Sequence, residues 1–386
     1  MTQTVMLIAG EASGDMHGAE LARRLQQHNI RCIGMGSRHM QTAGVELIVD
    51  SSGIAVVGLF EVLAHWSEIQ SALKTMRNAL AARRPDLLVL IDYPEFNLKL
   101  AAAAKSLGIP VLFYVSPQVW AWRPKRVHKI GRVIDHMAVI FPFEVDVYRR
   151  ANIPVTYVGH PLAQRVRAGT DRETALRQFG LNPQLKTVAL MPGSRHSEIQ
   201  RLLPTLISAA EKIRDHMADA VQFVLPVAPT LDTAELKKKI GPHGIDIRLI
   251  TGRTYDAINA SDIAITASGT ATLEIALLQT PMIVIYKVSP LSYAILRRLI
   301  TVPQIALANI VAGRQIVPEL IQSAATPDNI AQAAVRQLTD TAYHQRIKQD
   351  LAVVKHNLGI LDGIQEMTVL ILKLLANPPP GTAKMR

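Results

Sequence analysis

Two short segments of the chain carry groups suited to binding an anion. Gly193-Ser194-Arg195 follows one predicted strand, and Ser268-Gly269-Thr270-Ala271-Thr272-Leu273-Glu274 begins a predicted helix. Glycines leave backbone N–H groups accessible, and the first turn of a helix offers further N–H groups to a phosphate. The planar Arg195 guanidinium suits a diphosphate because it can donate two parallel hydrogen bonds. These features favour a nucleotide diphosphate site in the C-terminal half.

Glu274 lies one helical turn beyond the start of the second segment. Its carboxylate could accept hydrogen bonds from both ribose hydroxyls, as acidic residues do in other nucleotide-binding folds. A simpler interpretation remains open for both charged residues. Glu274 would stabilise the N-terminus of its own helix, and Arg195 would pair with Glu198 at the surface.

A candidate general base follows the predicted strand Leu87–Ile91. Asp92 stands at the carboxyl end of that strand, where a carboxylate could remove a proton from an attacking hydroxyl. Glu95 is the competing base. The alternative is that Asp92 caps the helix that begins near Pro94.

The first strand is predicted over Val5–Ala9 and is followed by Gly10-Glu11-Ala12-Ser13-Gly14-Asp15. Its two glycines permit a tight turn with exposed amides, so we expect this loop to contact substrate. The alternative is an ordinary turn with Asp15 near the start of a helix. His160 is the last polar candidate of this half, although a lone histidine is more often structural than catalytic.

Two segments have the composition of a surface that meets lipid headgroups or phosphates. Trp120 and Trp122 precede a basic cluster that contains no acid: Arg123, Lys125, Arg126, Lys129 and Arg132. The uncharged stretch Ile54–Phe60, which includes Val57 and Leu59, together with Val62 and Leu63, is the second candidate. The alternatives are a core tryptophan beside a solvated basic helix and, for the apolar stretch, an ordinary core segment.

Strand-like and helix-like segments alternate along the chain, which predicts an α/β protein with two facing Rossmann-like domains. We place the boundary after residue 168, so that residues 169–386, including the terminal helices, form the second domain. Besides the two strands above, the apolar runs that predict strands are Val111–Val115, Met137–Phe141, Thr187–Met191, Gln222–Val227, Ile247–Ile250, Ile263–Thr266 and Ile283–Tyr286.

Composition argues against several classes of protein. The net charge of +11 is spread over both halves, whereas nucleic-acid binding usually needs a concentrated stripe. One cysteine, Cys32, excludes a disulfide framework, and the histidines show no zinc-ligand spacing. No signal peptide or uncharged run of membrane-spanning length is readable. A cytosolic chain is expected.

These motifs, in this order, resemble the lipid-A-disaccharide synthases, bacterial glycosyltransferases with the GT-B architecture. The resemblance runs from Gly10 to about Gln322. Beyond the segments above, it is carried by Gly58 with Glu61-Val62-Leu63, Phe96-Asn97, Tyr114-Val115-Ser116-Pro117, Val119-Trp120-Ala121-Trp122-Arg123, Phe141-Pro142-Phe143-Glu144, Val158-Gly159-His160-Pro161 and Asn309 through Glu319.

The resemblance implies an inverting transfer of 2,3-diacylglucosamine from UDP to 2,3-diacylglucosamine 1-phosphate, giving a β-1,6 disaccharide. It assigns the base to Asp92 and diphosphate stabilisation to Arg195 and the 268–272 loop. Glu274 and Asn309 would hold the nucleotide and the geometry of the site. No metal or cofactor is implied. The acylated substrates imply a peripheral location on the cytosolic face of the inner membrane, and a homodimer is one option for the oligomeric state.

Three parts of the chain depart from the family pattern. Gly36-Ser37-Arg38-His39-Met40 stands where Gly-Pro-Arg-Met is usual, and Ala306-Leu307-Ala308-Asn309 replaces Ser-Leu-Pro-Asn. Between them, Gln118 replaces a serine and Glu95 an aspartate. Two other functions remain open. One is another UDP-sugar enzyme of this architecture, a UDP-N-acetylglucosamine 2-epimerase or a peptidoglycan glucosaminyltransferase. The other is a non-enzymatic protein that binds anionic lipid or nucleic acid.

Overall fold

A computed structural model describes residues 2–53, 66–122, 124–289, 293–294, 302–359 and 361–380. The chain divides into two compact units. Unit 1 comprises Met1–Pro161 and Leu361–Arg386, and unit 2 comprises Leu162–Ile360. The observed division lies close to the expected boundary, but the chain returns to unit 1 after unit 2 is complete.

The described residues of unit 1 form seven strands. They are β1 Thr4–Ala9, β2 Arg31–Gly36, β3 Glu46–Asp50, β4 Leu87–Ile91, β5 Val111–Tyr114, β6 His136–Val139 and β7 Val155–Tyr157. Its helices before the crossing are α1 Ala12–Gln26, α2 Arg38–Thr42, α3 Trp66–Arg83, α4 Pro94–Ser106, α5 Val119–Trp122, α6 Arg126–Gly131 and α7 Glu144–Arg149.

In the part of unit 2 that the structure describes there are six strands: β8 Lys186–Met191, β9 Val221–Val227, β10 Ile247–Thr251, β11 Ile263–Ala267, β12 Met282–Tyr286 and β13 Glu319–Ile321. Its helices are α8 Pro161–Arg165, which starts at the crossing, α9 Arg172–Gln178, α10 His196–His216, α11 Thr233–Ile240, α12 Thr254–Ala260, α13 Ala271–Leu277, α14 Leu307–Ala312, α15 Pro327–Thr339 and α16 Thr341–Gly359. The last helix, α17 Gly363–Ala376, belongs to unit 1.

Both sheets are parallel, with strand orders β3-β2-β1-β4-β5-β6-β7 and β10-β9-β8-β11-β12-β13. The direction of strand addition reverses between β1 and β4 and again between β8 and β11. Ligands of such sheets bind at the carboxyl ends of the strands beside this reversal. Ala9 pairs with Ile91, so Gly10 and Asp92 leave the first sheet at the same level. In unit 2, Met191 pairs with Thr266. The two predicted anion-binding segments, which follow these residues, therefore leave the second sheet at the same level.

The two-domain α/β prediction is confirmed, as are the strands inferred from apolar runs. Buried parallel strands read as continuous apolar segments because both faces are covered. Met6 and Ile8 pack toward α3, whereas Val5 and Leu7 pack toward α1 and α17. The strands β2, β3, β7 and β13 were not predicted, and the two edge strands β7 and β13 have only three residues each.

Helix α17 corrects the expectation that the terminal helices belong to the second domain. Met367 and Ile371 are completely buried, and they join the core formed by β1 and α1 of unit 1. Asp362 caps the helix by accepting hydrogen bonds from the N–H groups of Ile364 and Gln365.

Among the described residues, no helix is both long and apolar enough to span a membrane.

We expect Ile371→Ala to lower the free energy of unfolding of unit 1 by about 2–5 kcal/mol, because it opens a cavity in a packed core. Val369→Ala on the same helix is the control, since Val369 is 50% exposed, and its effect should stay within about 0.5 kcal/mol. Tryptophan emission during denaturation measures the change, because Trp66, Trp120 and Trp122 all lie in unit 1. Equal, small effects of both variants would contradict the assignment of α17.

Candidate functional site

Asp92 lies in a strained turn at the carboxyl end of β4. Asp92 and Tyr93 both have left-handed backbone conformations, with φ of 49° and 46°. The buried Asn97 amide holds the turn by donating to the carbonyl oxygens of Ile91, at 3.3 Å, and Asp92, at 2.6 Å. Tyr93 is the residue that precedes α4, and that helix has no side-chain cap. The Asp92 carboxylate is therefore not used as a helix cap, contrary to the alternative above.

Glu11 and Asp92 form a pair of half-buried carboxyl groups at the β1/β4 reversal. Burial raises the pKa of Asp92, partly opposed by a hydrogen bond from the Tyr93 backbone. Burial, followed by the charge of Asp92, raises the pKa of Glu11. A raised pKa makes a carboxylate a better proton acceptor, because it binds the proton more tightly. Glu95, the competing candidate, is exposed and pairs with Arg126 at 2.6 Å.

Asp15 is a structural residue and is not available to a substrate. Its side chain is 1% exposed and accepts backbone N–H groups of Ser37 at 2.6 Å, His39 at 2.9 Å and Met40 at 3.2 Å. The expected loop is in fact shorter, because α1 already begins at Ala12. Asp15 thus anchors the 36–40 segment, one of the places where the chain departs from the family pattern.

The other residues of the first turn divide between packing and exposure. A Cβ at Gly10 would lie 2.3 Å from the Tyr93 ring, so glycine lets that ring pack against the backbone. Gly14 is buried against Ala9, whereas Ser13 is exposed in the first turn of α1. Of the predicted substrate contacts here, Glu11 and Ser13 have side chains that a ligand can reach.

A cleft of about 750 Å³ opens at the carboxyl ends of β8, β9, β10 and β11 in unit 2. Both predicted anion-binding segments line it, together with Pro229, Arg253 and Tyr255 from the neighbouring loops. Four successive strand ends therefore converge on one concave surface. This placement agrees with the nucleotide sites of doubly wound sheets.

The 268–272 segment offers backbone groups more than hydroxyls. The Ser268 hydroxyl donates to Ile305 O at 3.0 Å, and the Thr272 hydroxyl donates to Gly269 O at 2.8 Å. Within the described ranges, the N–H groups of Gly269, Thr270 and Ala271 have no hydrogen-bond acceptor. Gly269 and Thr270 are exposed, and a Cβ at Gly269 would meet no atom within 4 Å. An anion at this loop would therefore bind mainly to the backbone.

Glu274 is half-buried on the cleft side of α13. Tyr255 donates its hydroxyl to Glu274 Oε1 at 3.1 Å, which leaves the second carboxylate oxygen for a ligand. Burial raises the pKa of Glu274, and the Tyr255 hydrogen bond and the charge of Arg165 partly oppose that shift. Sequence reasoning missed Tyr255, although it follows the predicted strand Ile247–Ile250 by only a few residues.

Arg195 pairs with Glu198 at the surface, which is the simpler of the two interpretations of its sequence position. Its Nη1 lies 3.2 Å from Glu198 Oε1, and its side chain is 69% exposed. Glu198 Oε2 also accepts the N–H groups of Ser194, at 2.9 Å, and Arg195, at 3.2 Å. The Glu198 carboxylate thus occupies the place where an anion was expected. A diphosphate must exchange with Glu198 to bind these groups.

Asn309 uses both ends of its side-chain amide in hydrogen bonds inside unit 2. It is fully buried, and its Nδ2 donates to Val317 O at 3.0 Å and to Glu319 Oε1 at 2.7 Å. Its Oδ1 accepts the N–H groups of Ile316 and Val317. Glu319 in turn accepts the N–H of Ile305, whose carbonyl receives the Ser268 hydroxyl. These hydrogen bonds link Asn309 to Ser268 in the cleft through Glu319 and Ile305.

The membrane-facing candidates differ in exposure. Trp120 points inward, because its Nε1 donates to the buried Glu144 at 3.0 Å. Trp122 is 42% exposed and Lys125 is exposed. The Arg126 side chain is only 18% exposed and is held by Glu95. Val57, Leu59 and Phe60 lie outside the described residues.

Sequence reasoning missed Trp66 as a surface residue. Trp66 begins α3 and is 51% exposed, with Lys99 Nζ 5.4 Å from its ring centroid. Lys99 lies one helical turn after Glu95 on α4, and Glu95 contacts Arg126. These contacts connect Trp66 to the basic segment after Trp122. We call Trp66, Lys99, Trp122, Lys125 and Lys129 the tryptophan–basic surface.

Comparison with known proteins identifies the family. The sequence profile of lipid-A-disaccharide synthetase matches residues 5–367. The lipid-A-disaccharide synthase of Geobacter sulfurreducens is 48% identical over 96% of this chain and 97% of its own length. That of Nitrosococcus oceani is 49% identical over 96% of each chain. The chain belongs to the lipid-A-disaccharide synthase family. It is a glycosyltransferase enzyme of lipid A biosynthesis, as the motif resemblance implied.

Solved structures share the fold of this lipid-A-disaccharide synthase family member. MurG of Acinetobacter baumannii superposes with a TM-score of 0.60 at 16% identity, covering 96% of this chain and 99% of MurG. The UDP-GlcNAc 2-epimerase of Neisseria meningitidis gives 0.60 at 14% identity, covering 96% and 100%. At this identity only the GT-B type of fold is shared. The family match does not favour the epimerase, peptidoglycan glucosaminyltransferase or non-enzymatic alternatives.

Proposed function

We propose that this enzyme transfers 2,3-diacylglucosamine from its UDP donor to the 6-hydroxyl of 2,3-diacylglucosamine 1-phosphate. The products are the β-1,6-linked disaccharide 1-phosphate and UDP. The observation that carries the proposal is the placement of complementary groups at the two strand-order reversals. Unit 1 presents a proton acceptor, Asp92, and unit 2 presents an anion-binding cleft.

The chemical step is a single displacement at the anomeric carbon. As the acceptor oxygen attacks, its proton passes to the Asp92 carboxylate, and the bond between the anomeric carbon and the diphosphate oxygen breaks. Asn97 fixes this left-handed turn, and the Asp92 carboxylate does not cap the helix that follows it. Strained backbone of this kind is found most often at functional sites.

The cleft of unit 2 is suited to the leaving group. Backbone N–H groups of Gly269, Thr270 and Ala271 would stabilise the charge that develops on UDP, and fixed donors of this kind need no reorganisation during the reaction. Arg195 would transfer from Glu198 to the diphosphate. The free oxygen of Glu274 would accept the ribose hydroxyls, with Tyr255 fixing the orientation of the carboxylate.

The acyl chains of both proposed substrates require the enzyme to work at a membrane surface. The tryptophan–basic surface supports a peripheral location on the inner membrane, because amphipathic tryptophans and cations interact with the headgroup region. Trp66 and Trp122 supply exposed aromatic area, and Lys99, Lys125 and Lys129 are exposed cations.

Asp92→Asn should retain UDP binding but lose about 10²–10⁴-fold in turnover, since an amide cannot accept the hydroxyl proton. Release of UDP from defined acylated substrates measures turnover, and calorimetry measures UDP binding. Glu95→Gln is the control and should stay near wild-type activity, because Glu95 is exposed and paired with Arg126.

The pH dependence gives an independent check on Asp92. Its folded-state pKa is raised by burial, so the base is lost as pH falls through a value above the ordinary aspartate pKa of about 3.9. The acid limb of kcat/KM in the wild-type enzyme should therefore lie above that value.

Turnover of Asp92→Asn within a few-fold of wild type would reject Asp92 as the base.

Arg195→Ala and Glu274→Ala should each weaken UDP binding by roughly 10–150-fold, the equivalent of one charge-assisted hydrogen bond of about 1.5–3 kcal/mol. Calorimetric titration with UDP alone isolates this effect from catalysis. Glu173→Ala is the matched control, because Glu173 is exposed in unit 2 and pairs with Arg177 outside the cleft. If both cleft variants bound UDP with wild-type affinity, UDP would not bind in this cleft.

Replacing Lys99, Lys125 and Lys129 by Gln should reduce co-sedimentation with vesicles that contain anionic lipid. Each cation near the surface contributes about 1 kcal/mol of attraction, which added salt screens. The matched control replaces Lys237, Lys238 and Lys348 of unit 2, which are also exposed. If both triple variants bind vesicles equally at low salt, the tryptophan–basic surface is not the membrane contact.

A further inference from the structure

Glu144 is a buried acid that the proposed reaction does not use. It begins α7, and its side chain is 1% exposed. Its carboxylate accepts the indole N–H of Trp120 at 3.0 Å and the backbone N–H of Phe141 at 3.2 Å. Burial raises the pKa of Glu144 to about 7, opposed by these hydrogen bonds and by that of the Ser116 hydroxyl. Such a carboxyl group is stable inside a protein only while its donors stay in place.

Two of the donors to Glu144, the Ser116 hydroxyl and the Trp120 indole N–H, lie at the two ends of one segment, residues 116–120, which leads from β5 into α5. The Trp120 ring also packs edge-on against Phe143, with centroids 5.0 Å apart at an interplanar angle of 90°. The Ser116 hydroxyl lies 2.7 Å from the hydroxyl of Tyr148, a completely buried residue of α7. Both ends of the loop are therefore attached to α7 by buried polar contacts.

This loop leaves the sheet beside the Asp92 turn. Asp92 donates its backbone N–H to Tyr114 O at 2.9 Å, and Tyr114 pairs with Ile91 in the sheet. Val115, the next residue, has a left-handed backbone with φ of 67°. The loop and the Asp92 turn are therefore adjacent strained segments, and movement of one changes the support of the other.

We propose that Glu144 is a positioning residue for the acceptor substrate, acting through Trp120 and Ser116 on the loop beside Asp92. This inference rests on the proposed function, because it assigns the acceptor to the Asp92 side of the reaction. Glu144 touches no reacting atom. Its contribution is to hold the segment 116–120, which lies beside Asp92, in one conformation.

The test compares two variants of Glu144. Glu144→Leu has a side chain of similar volume that cannot accept a hydrogen bond, whereas the side-chain carbonyl of Glu144→Gln can still accept the indole N–H. Trp120→Phe removes the donor and keeps an aromatic ring. Glu144→Leu and Trp120→Phe should each raise the acceptor KM about tenfold or more, while UDP affinity, a property of unit 2, stays unchanged. Glu144→Gln should lie closer to wild type. Asp146→Asn, an exposed acid on the same helix, is the control.

The double variant Glu144→Leu with Trp120→Phe should be no worse than the more impaired single variant, because both remove the same hydrogen bond. Wild-type acceptor KM in Trp120→Phe would overturn the proposal, even if Glu144→Leu failed to fold. An equal defect in Glu144→Gln and Glu144→Leu would also overturn it. Failure of the proposed function is distinguishable, since the wild-type enzyme would then show no turnover with these substrates.

Discussion

The constraint on which the structure depends is that each parallel sheet must be covered on both faces. Parallel strands need crossover helices, and these helices bury the apolar side chains of the strands. Polar groups are therefore displaced to the strand ends. Where the strand order reverses, neighbouring loops leave on opposite faces and a crevice opens between them. The Asp92 turn and the cleft of unit 2 occupy these two places.

Strain at the Asp92 turn is a second consequence of this arrangement. Left-handed conformations of residues other than glycine cost of order 1–3 kcal/mol each, and Asp92, Tyr93 and Val115 all adopt them. The cost is offset by buried contacts nearby, such as the Asn97 amide that binds two carbonyl groups and the Tyr93 ring that packs on Gly10.

Much of the fold could be predicted because its signals are local. Apolar runs mark the buried strands, and the residue after each run marks a strand end, as Asp92 and Ser268 show. The use of individual polar groups could not be predicted, because their partners are distant in sequence. Asp15 is bound to the N–H of Ser37, and Ser268 is bound to Ile305, contacts that no local pattern encodes. The contact between Glu198 and Arg195 is an exception, because the two residues are three positions apart and their pairing was one of the two interpretations of the sequence.

The return of α17 to unit 1 makes unit 2 an insertion within unit 1. During synthesis, all residues of unit 2 have been made when residue 360 is added. Unit 1 at that moment still lacks Met367 and Ile371, which fill the core beside β1. Folding of the two units is thus ordered by the path of the chain, since domains generally fold as units during translation. Unit 2 can mature first, and unit 1, which carries Asp92, is completed last.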